Sequence, residues 1–332
     1  MSRRLQKVFI TGASGFVGRH LIDALLPMGC EISGTSYPEK PEDCGFKADV
    51  AKNIVHLDIR SEKGVHAIIK RARPDWVFHL AAISNVRVSW EKRKETIETN
   101  LIGTFNLLEA VRKNSPEARM LFVSSSDLYG ILTPIEHALK EESFVFALSP
   151  YAFTKASGEM LCRFYAQVEG LDIVIARSFP HTGPGQTPDF VCADWADQIA
   201  RIEKGLSPPV VKVGNIAVRR DFSDVRDVVQ AYICLLEKGR KGEVYNVCSG
   251  RAQSLQEILD KLVSFSSKKI TVEVDKRKLR KADIPLLLGD NRKIREGTGW
   301  IPKIPLETTL RNLFDKELEK LEKLGSVPNS KD

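Results

Sequence analysis

Thr11-Gly12-Ala13-Ser14-Gly15-Phe16-Val17-Gly18 follows the β-rich run Val8-Phe9-Ile10 and leads into apolar residues at Leu21, Ile22, Leu25 and Leu26. A strand therefore passes through a glycine-rich turn into an amphipathic helix beginning at Phe16 and Val17. Gly12 permits the tight turn, Gly15 lets backbone amides approach a pyrophosphate, and Gly18 lets the helix lie close to the sheet. The helix N-terminus then points at the phosphates, whose charge its unpaired N–H groups favour. Such glycine spacing is common in ordinary turns. Directly after a first strand, with parallel-sheet periodicity beyond it, the spacing predicts a dinucleotide site built on Gly12, Ser14, Gly15, Phe16, Val17 and Gly18.

That periodicity continues. Strands are expected at 30–35 and 54–57, and a helix over 62–71 closed by Arg73-Pro74, because the residue before a proline leaves helical backbone. Trp76-Val77-Phe78-His79-Leu80 is apolar almost throughout, as a strand covered on both faces should be. A long amphipathic helix over 97–113, a strand over 120–124, a helix over 151–169 and a strand over 172–176 follow. This alternation predicts an α/β fold with a doubly wound, Rossmann-type parallel sheet. Beyond Arg177 the pattern loosens: 178–190 reads as loop, 191–204 as helix, 210–213 as strand and 219–227 as a charged link. Helix 228–237, strand 243–247, helix 254–263 and strand 270–274 complete it. The expected division is a dinucleotide-binding domain over 1–178, to which 222–250 returns, and a smaller α/β substrate domain over 179–221 and 251–315. A helical tail over 316–332 is expected to fray.

With 332 residues, 42% of them apolar, the chain has material for a large core and two domains. The net charge of +7 suits nucleic acid, an anionic membrane or a small polyanionic substrate. The basic cluster Lys276-Arg277-Lys278-Leu279-Arg280-Lys281 has neither zinc-finger spacing nor interleaved aromatics, which favours a phosphate-bearing small molecule over nucleic acid. Six scattered cysteines without a CxxC fit a reducing compartment and no metal. The apolar run at Val8–Ile10 is too short for a signal peptide, and nothing reaches the ~20 residues that span a bilayer. A cytoplasmic protein without a membrane partner is the expectation.

Tyr151 and Lys155 lie four apart on a predicted helix and so share a face. A lysine beside a phenol favours phenolate and is expected to lower the tyrosine pKa towards neutrality. Ser125, after a central strand, can offer a second hydroxyl to the same substrate oxygen, where charge forms or disappears. Near the glycine turn, Asp58 can accept from an adenine amino group while Ile59 covers the ring. Gly34-Thr35-Ser36-Tyr37 ends the second strand without the acid that would repel a 2'-phosphate. Hydroxyls such as Ser36, and the more distant Lys40, tolerate that phosphate. NADP(H) is therefore favoured, with NAD(H) possible. Arg220 and Arg280 are candidate diphosphate clamps, since guanidinium matches phosphate oxygens bidentately. Asp224 to Asp227 fit helix capping better than sugar contact.

TGASGFVG (11–18), Asp58-Ile59, HLAA (79–82), SSSDLYG (124–130) and YAFTK (151–155) together resemble the extended short-chain dehydrogenase/reductase family. The resemblance implies that Ser125, Tyr151 and Lys155 are the catalytic serine, tyrosine and lysine, and that Leu80, Ala81 and Ala82 line the cofactor cleft beside His79. Further on, HTGPGQ (181–186), Phe190, QIARIEKGL (198–206), VGNIAVRRDFSDVRDV (213–228) and YNVCSG (245–250) resemble the branch that handles GDP-6-deoxyhexoses. This implies a nucleotide-sugar substrate domain, with Phe190 and Lys212 bordering the base, Arg220 and Arg280 on the diphosphate or the ribose side, and a homodimer joined by helices 100–113 and 151–168. Relatives commonly carry Asn where Arg177-Ser178-Phe179-Pro180 ends in proline, so His181 is left to make the polar contact. The implied reaction is reduction of the C4 ketone of GDP-4-dehydro-6-deoxy-D-mannose to GDP-D-rhamnose. The alternatives are 4,6-dehydration of GDP-mannose or another epimerase or dehydratase reaction. A dehydratase needs a further acid, a glutamate in dehydratase relatives, at the position of Asp127. Aspartate is one methylene short, about 1.5 Å, and a ~1 Å misplacement can cost about 100-fold in rate.

Overall fold

A parallel sheet needs apolar strands with helices on both faces, and the chain supplies them in strict alternation. The structure is a computed structural model describing residues 5–130, 137–279 and 284–325. Its strands are β1 (Lys7–Thr11), β2 (Glu31–Ser36), β3 (Ile54–His56), β4 (Trp76–His79), β5 (Arg119–Ser125), β6 (Asp172–Ser178) and β7 (His181–Thr182). They continue as β8 (Val210–Val213), β9 (Arg219–Asp221), β10 (Ser223–Asp224), β11 (Val244–Val247), β12 (Ala252–Ser254), β13 (Thr271–Val274) and β14 (Leu286–Leu287). The main sheet runs β11-β6-β5-β4-β1-β2-β3, and every pairing in it is parallel. Strand order reverses at β1, so a crevice opens above the carboxyl ends of β1 and β4, where open α/β sheets bind ligands. The expected fold class is thus the observed one.

Side-chain alternation along β1 sends Val8 and Ile10 to one face and Phe9 to the other. The first pair joins a core with Leu21, Leu25 and Tyr232, and Phe9 joins a second with Val77, Leu107 and Phe122. A third core, containing Trp195, Ile199, Val211, Leu259 and Phe314, holds the smaller lobe together. Beside it lie three short sheets: parallel β8/β13, mixed β12-β9-β14 and parallel β7/β10.

Several expected boundaries move. The helix expected over 97–113 begins at Arg93 and contains a π turn at Glu98–Ile102 before continuing as Gly103–Asn114. Asn100 sits in that turn. Its amide accepts from Ile83 N (2.8 Å) and donates to Ile83 O (3.1 Å) and Thr154 Oγ1 (3.0 Å), tying three elements together. The stretch 178–190 is not wholly loop, since β7 pairs with β10. Strands of two residues leave no periodicity to read. Asp224 caps the following helix by accepting from Arg226 N (2.7 Å), so that helix starts at Val225 rather than 228. The tail helix Leu306–Gly325 packs through Leu313, Phe314 and Leu321; residues 326–332 of the tail expected to fray lie outside the described residues. Among the described residues no helix is long and apolar enough to cross a membrane, and no His/Cys/Asp/Glu group could hold a metal.

Candidate active site

A continuous cleft of about 1620 Å³ runs from the glycine turn across the carboxyl ends of the sheet into the smaller lobe. At the turn, Gly12 has φ +69°, and a Cβ there would lie 2.9 Å from the Ala81 backbone. A Cβ on Gly18 would lie 2.5 Å from Gly12 O and 2.6 Å from Ala13 O. Glycine is required at both positions because the backbones touch. Gly15 precedes the helix Phe16–Leu25 as its N-cap, with no side-chain cap on the N–H groups facing the cleft. The turn, with Ser14, Phe16 and Val17 also lining the cleft, fits a pyrophosphate.

The facing wall, Leu80, Ala81 and Ala82, is set from beneath. Thr104 Oγ1 donates to Asn100 O (2.6 Å), so it must accept from His79 Nε2 (2.8 Å). His79 Nδ1 is then an acceptor for the Thr11 hydroxyl (2.7 Å), whose oxygen in turn accepts from Leu80 N and Ala81 N, both at 3.1 Å. Burial pushes the His79 pKa down to about 3, and Lys155 adds to the fall. His79 therefore stays neutral, in one tautomer, and holds the wall in place.

At the end of the cleft expected to take adenosine, Ile59 and Asp58 are among the lining residues. Asp58 is forked by Arg60, accepting from its Nε (2.8 Å) and backbone N (2.9 Å), so the expected adenine acceptor already carries a partner. Arg60 lines the cleft too, beside Tyr37. Arg60 reaches the cleft from the turn after β3, a position outside the Gly34–Tyr37 stretch weighed from the sequence for the 2'-phosphate. Ser36 differs from expectation: it is fully buried, its Oγ has no partner among the described residues, and Thr35 and Tyr37 face the cleft instead. Alternation along β2 turns it away.

Ser125 ends β5 and accepts Asp127 N (3.1 Å), opening the turn Ser126–Tyr129. Ser149 caps the helix Pro150–Gln167 by accepting Ala152 N (3.1 Å), and Pro150 occupies its first turn. That start places Tyr151 one residue in and Lys155 one turn further, both lining the cleft with Ser125 and Asp127. Lys155 Nζ donates to Val123 O (2.8 Å) and sits 5.9 Å from the Tyr151 ring centroid. Burial lowers the Lys155 pKa to about 8, against the pull of Cys162 and Glu159. The expected lowering of the Tyr151 pKa is reversed. Burial pushes the phenol up, the Asp127 charge adds to this, and the hydrogen bond with Ser125 only partly counters it. Tyr151 is a phenol, not a phenolate, at neutral pH.

In the smaller lobe, Phe190 and Arg220 line the cleft, and Arg220 Nη1 donates to Ile284 O (2.6 Å). Lys212 does not line it. Its exposed side chain lies on the outer face of β8, and its carbonyl accepts Gln198 Nε2 (3.1 Å). Arg280 lies outside the described residues. His181 lines the cleft but donates from Nδ1 to Phe179 O (2.9 Å) and stacks on Phe16, with centroids 6.3 Å apart. That contact sets His181 against the first residue of the glycine-turn helix.

Residues 9–313 match the family model for GDP-mannose 4,6 dehydratase. GDP-6-deoxy-D-mannose reductase from Pseudomonas aeruginosa is 34% identical over 93% of this chain and 96% of its own length. GDP-mannose 4,6-dehydratase from Vibrio cholerae is 26% identical, over 95% of this chain and 94% of its own. Among solved structures, RMD from Pseudomonas aeruginosa complexed with NADPH superposes with a TM-score of 0.84 at 33% identity, covering 95% of this chain and 99% of that one. The glycine cradle, the Ser125/Tyr151/Lys155 constellation and this near full-length similarity make the chain a member of the GDP-mannose 4,6-dehydratase family, within the extended short-chain dehydrogenase/reductases.

Proposed function

We propose that this protein reduces the C4 ketone of GDP-4-dehydro-6-deoxy-D-mannose to GDP-D-rhamnose. The chain is an NAD(P)-dependent oxidoreductase acting on GDP-sugars. The observation that carries the finer reading is the similarity to a GDP-6-deoxy-D-mannose reductase, 34% identical over 93% of this chain, against 26% for a GDP-mannose 4,6-dehydratase; the burial that pushes the Tyr151 pKa up is in keeping with it. A reductase needs a proton donor at the C4 oxygen, whereas a dehydratase must begin with Tyr151 as base. When bound, the reduced nicotinamide supplies hydride to C4. Tyr151 donates the proton to the oxygen, Ser125 hydrogen-bonds that same oxygen, and the Lys155 charge stabilises the phenolate left behind. Asp127, short of the dehydratase glutamate, orders the turn after Ser125. The similarity to a GDP-6-deoxy-D-mannose reductase supports this direction.

Gly12, Ser14, Gly15, Phe16, Val17, Gly18 and the Leu80–Ala82 wall hold the cofactor in this reading, with His181 beside them. Arg220 takes the diphosphate. The division into a dinucleotide-binding domain and a nucleotide-sugar domain follows the two lobes. Exposed Ile102, Phe105, Phe153, Met160 and Phe164 form an apolar face on two adjacent helices, and a second copy of the chain covers it as a homodimer. Sedimentation of Phe164→Asp should then give monomer where the native protein gives dimer.

Two assays run in parallel test the reaction. GDP-4-dehydro-6-deoxy-D-mannose with NADPH should give stoichiometric loss of reduced-nicotinamide absorbance and a product two mass units heavier. GDP-mannose with catalytic NADP⁺ should not lose water. Efficient dehydration in the second assay with no reduction in the first would replace the reductase by the dehydratase.

A further inference from the structure

The end of the cleft opposite the adenosine pocket is built from the smaller lobe. There Asp194, in the first turn of the helix Val191–Glu203, meets Lys278, which follows β13. The Asp194 Oδ2 to Lys278 Nζ distance is 2.5 Å, and both side chains line the cleft. Oδ1 accepts from Gln198 Nε2 (3.0 Å), and Nζ also donates to Lys212 O (3.1 Å), so carboxylate and ammonium are each held by a second partner. The main chain at Lys278 is fixed as well: a Cβ on Gly214 would lie 2.7 Å from Lys278 O, so the two backbones are in contact. Val191, Val218 and Leu279 add apolar surface to the same cleft.

We propose that Asp194 and Lys278 read the base of the substrate nucleotide and select guanine. This rests on the GDP-sugar reading above and names its base contacts. Guanine presents two adjacent donors, N1–H and the N2 amino group, next to the O6 acceptor. A carboxylate is acceptor-only and takes both donors, and an ammonium is donor-only and takes O6. Because N1 is bonded to the carbon that carries O6, the two side chains can serve them while remaining in contact. Uracil puts carbonyls on both sides of its single N–H and would press them against Asp194. Adenine offers one donor beside an acceptor and leaves one carboxylate oxygen facing a lone pair. Charge-assisted hydrogen bonds of this kind are about twice as strong as neutral ones, which makes the pair a discriminating contact and not only a binding one.

Calorimetric binding of GDP, IDP and UDP to the full-length protein tests this. IDP lacks the N2 amino group and is otherwise the same ligand. The native protein should bind GDP ~10-fold or more tightly than IDP, since one carboxylate oxygen loses its donor. In Asp194→Asn the GDP/IDP ratio should collapse towards one, with GDP weakened by about 10- to 100-fold. Lys278→Met should weaken GDP and IDP together and leave their ratio intact, because both keep O6. NADPH affinity unchanged within about twofold in each variant shows that the fold and the other half of the cleft are sound. A GDP/IDP ratio in Asp194→Asn equal to that of the native protein overturns the assignment while leaving the GDP-sugar reading standing. Equal binding of GDP and UDP by the native protein overturns that reading itself, and this assignment with it.

Discussion

Tyr151→Phe removes one oxygen atom from the cleft, and the surroundings define what that should cost. The ring stays in place, because it is buried. Ser125 Oγ keeps its hydrogen bond from Asp127 N at 3.1 Å and loses only the one it shares with the phenol. Stability should therefore fall by no more than about 1 kcal/mol, the net worth of one neutral hydrogen bond. Turnover should fall far more. Lys155 Nζ is committed to Val123 O and lies 5.9 Å from the ring centroid, which leaves it poorly placed to replace the phenol as proton donor. With water as the remaining donor, the whole general-acid contribution is lost, ~10²- to 10⁴-fold in kcat, or about 3 to 5 kcal/mol of barrier. The assay is steady-state reduction of GDP-4-dehydro-6-deoxy-D-mannose followed at the reduced-nicotinamide band, with thermal unfolding and GDP titration alongside. GDP affinity should stay within about threefold. A kcat loss under threefold in a folded protein refutes the proton-donor assignment.

Lys155, with a pKa lowered to about 8, is charged below that pH and neutral above it. If its charge supports the phenolate, reduction should decline as pH rises through about 8, and a kcat profile flat to pH 9.5 would count against this. Gly18→Ala places a methyl 2.5 Å from Gly12 O, and relief needs the helix to shift by about 1 Å. Titration should show NADPH affinity down by ~10-fold or more, and undiminished binding would mean the cradle is not where the cofactor sits. Glu159 forks the buried Arg177 at 2.8 Å, so Glu159→Gln leaves a buried guanidinium uncompensated. Denaturant unfolding should report a loss of about 3 to 5 kcal/mol, and a loss below 1 kcal/mol would contradict this account. NADPH should bind at least as well as NADH, with a hundredfold preference for NADH as the contrary result in fluorescence titration.

The sequence by itself determined the parallel sheet, the glycine cradle and the membership of Ser125, Tyr151 and Lys155 in one site. Each of these rests on local constraints. A glycine is demanded where backbones touch, as at Gly12 and Gly18, and a spacing of four puts Tyr151 and Lys155 on one helix face. Only the tertiary structure decided the environment those residues meet. Burial and Asp127, brought together across the loop after β5 and the start of a helix, turned the expected easy phenolate into a retained phenol. Arg60 reached the adenosine end, and Ser36 turned into the core, because neighbouring strands and not sequence neighbours form that wall. Likewise Asp194 and Lys278, 84 positions apart, meet only when β8 and β13 pair and carry the following chain back over the helix that holds Asp194. Periodicity records which face of an element is buried, but desolvation and the partner across a cleft depend on long-range packing that no local spacing encodes.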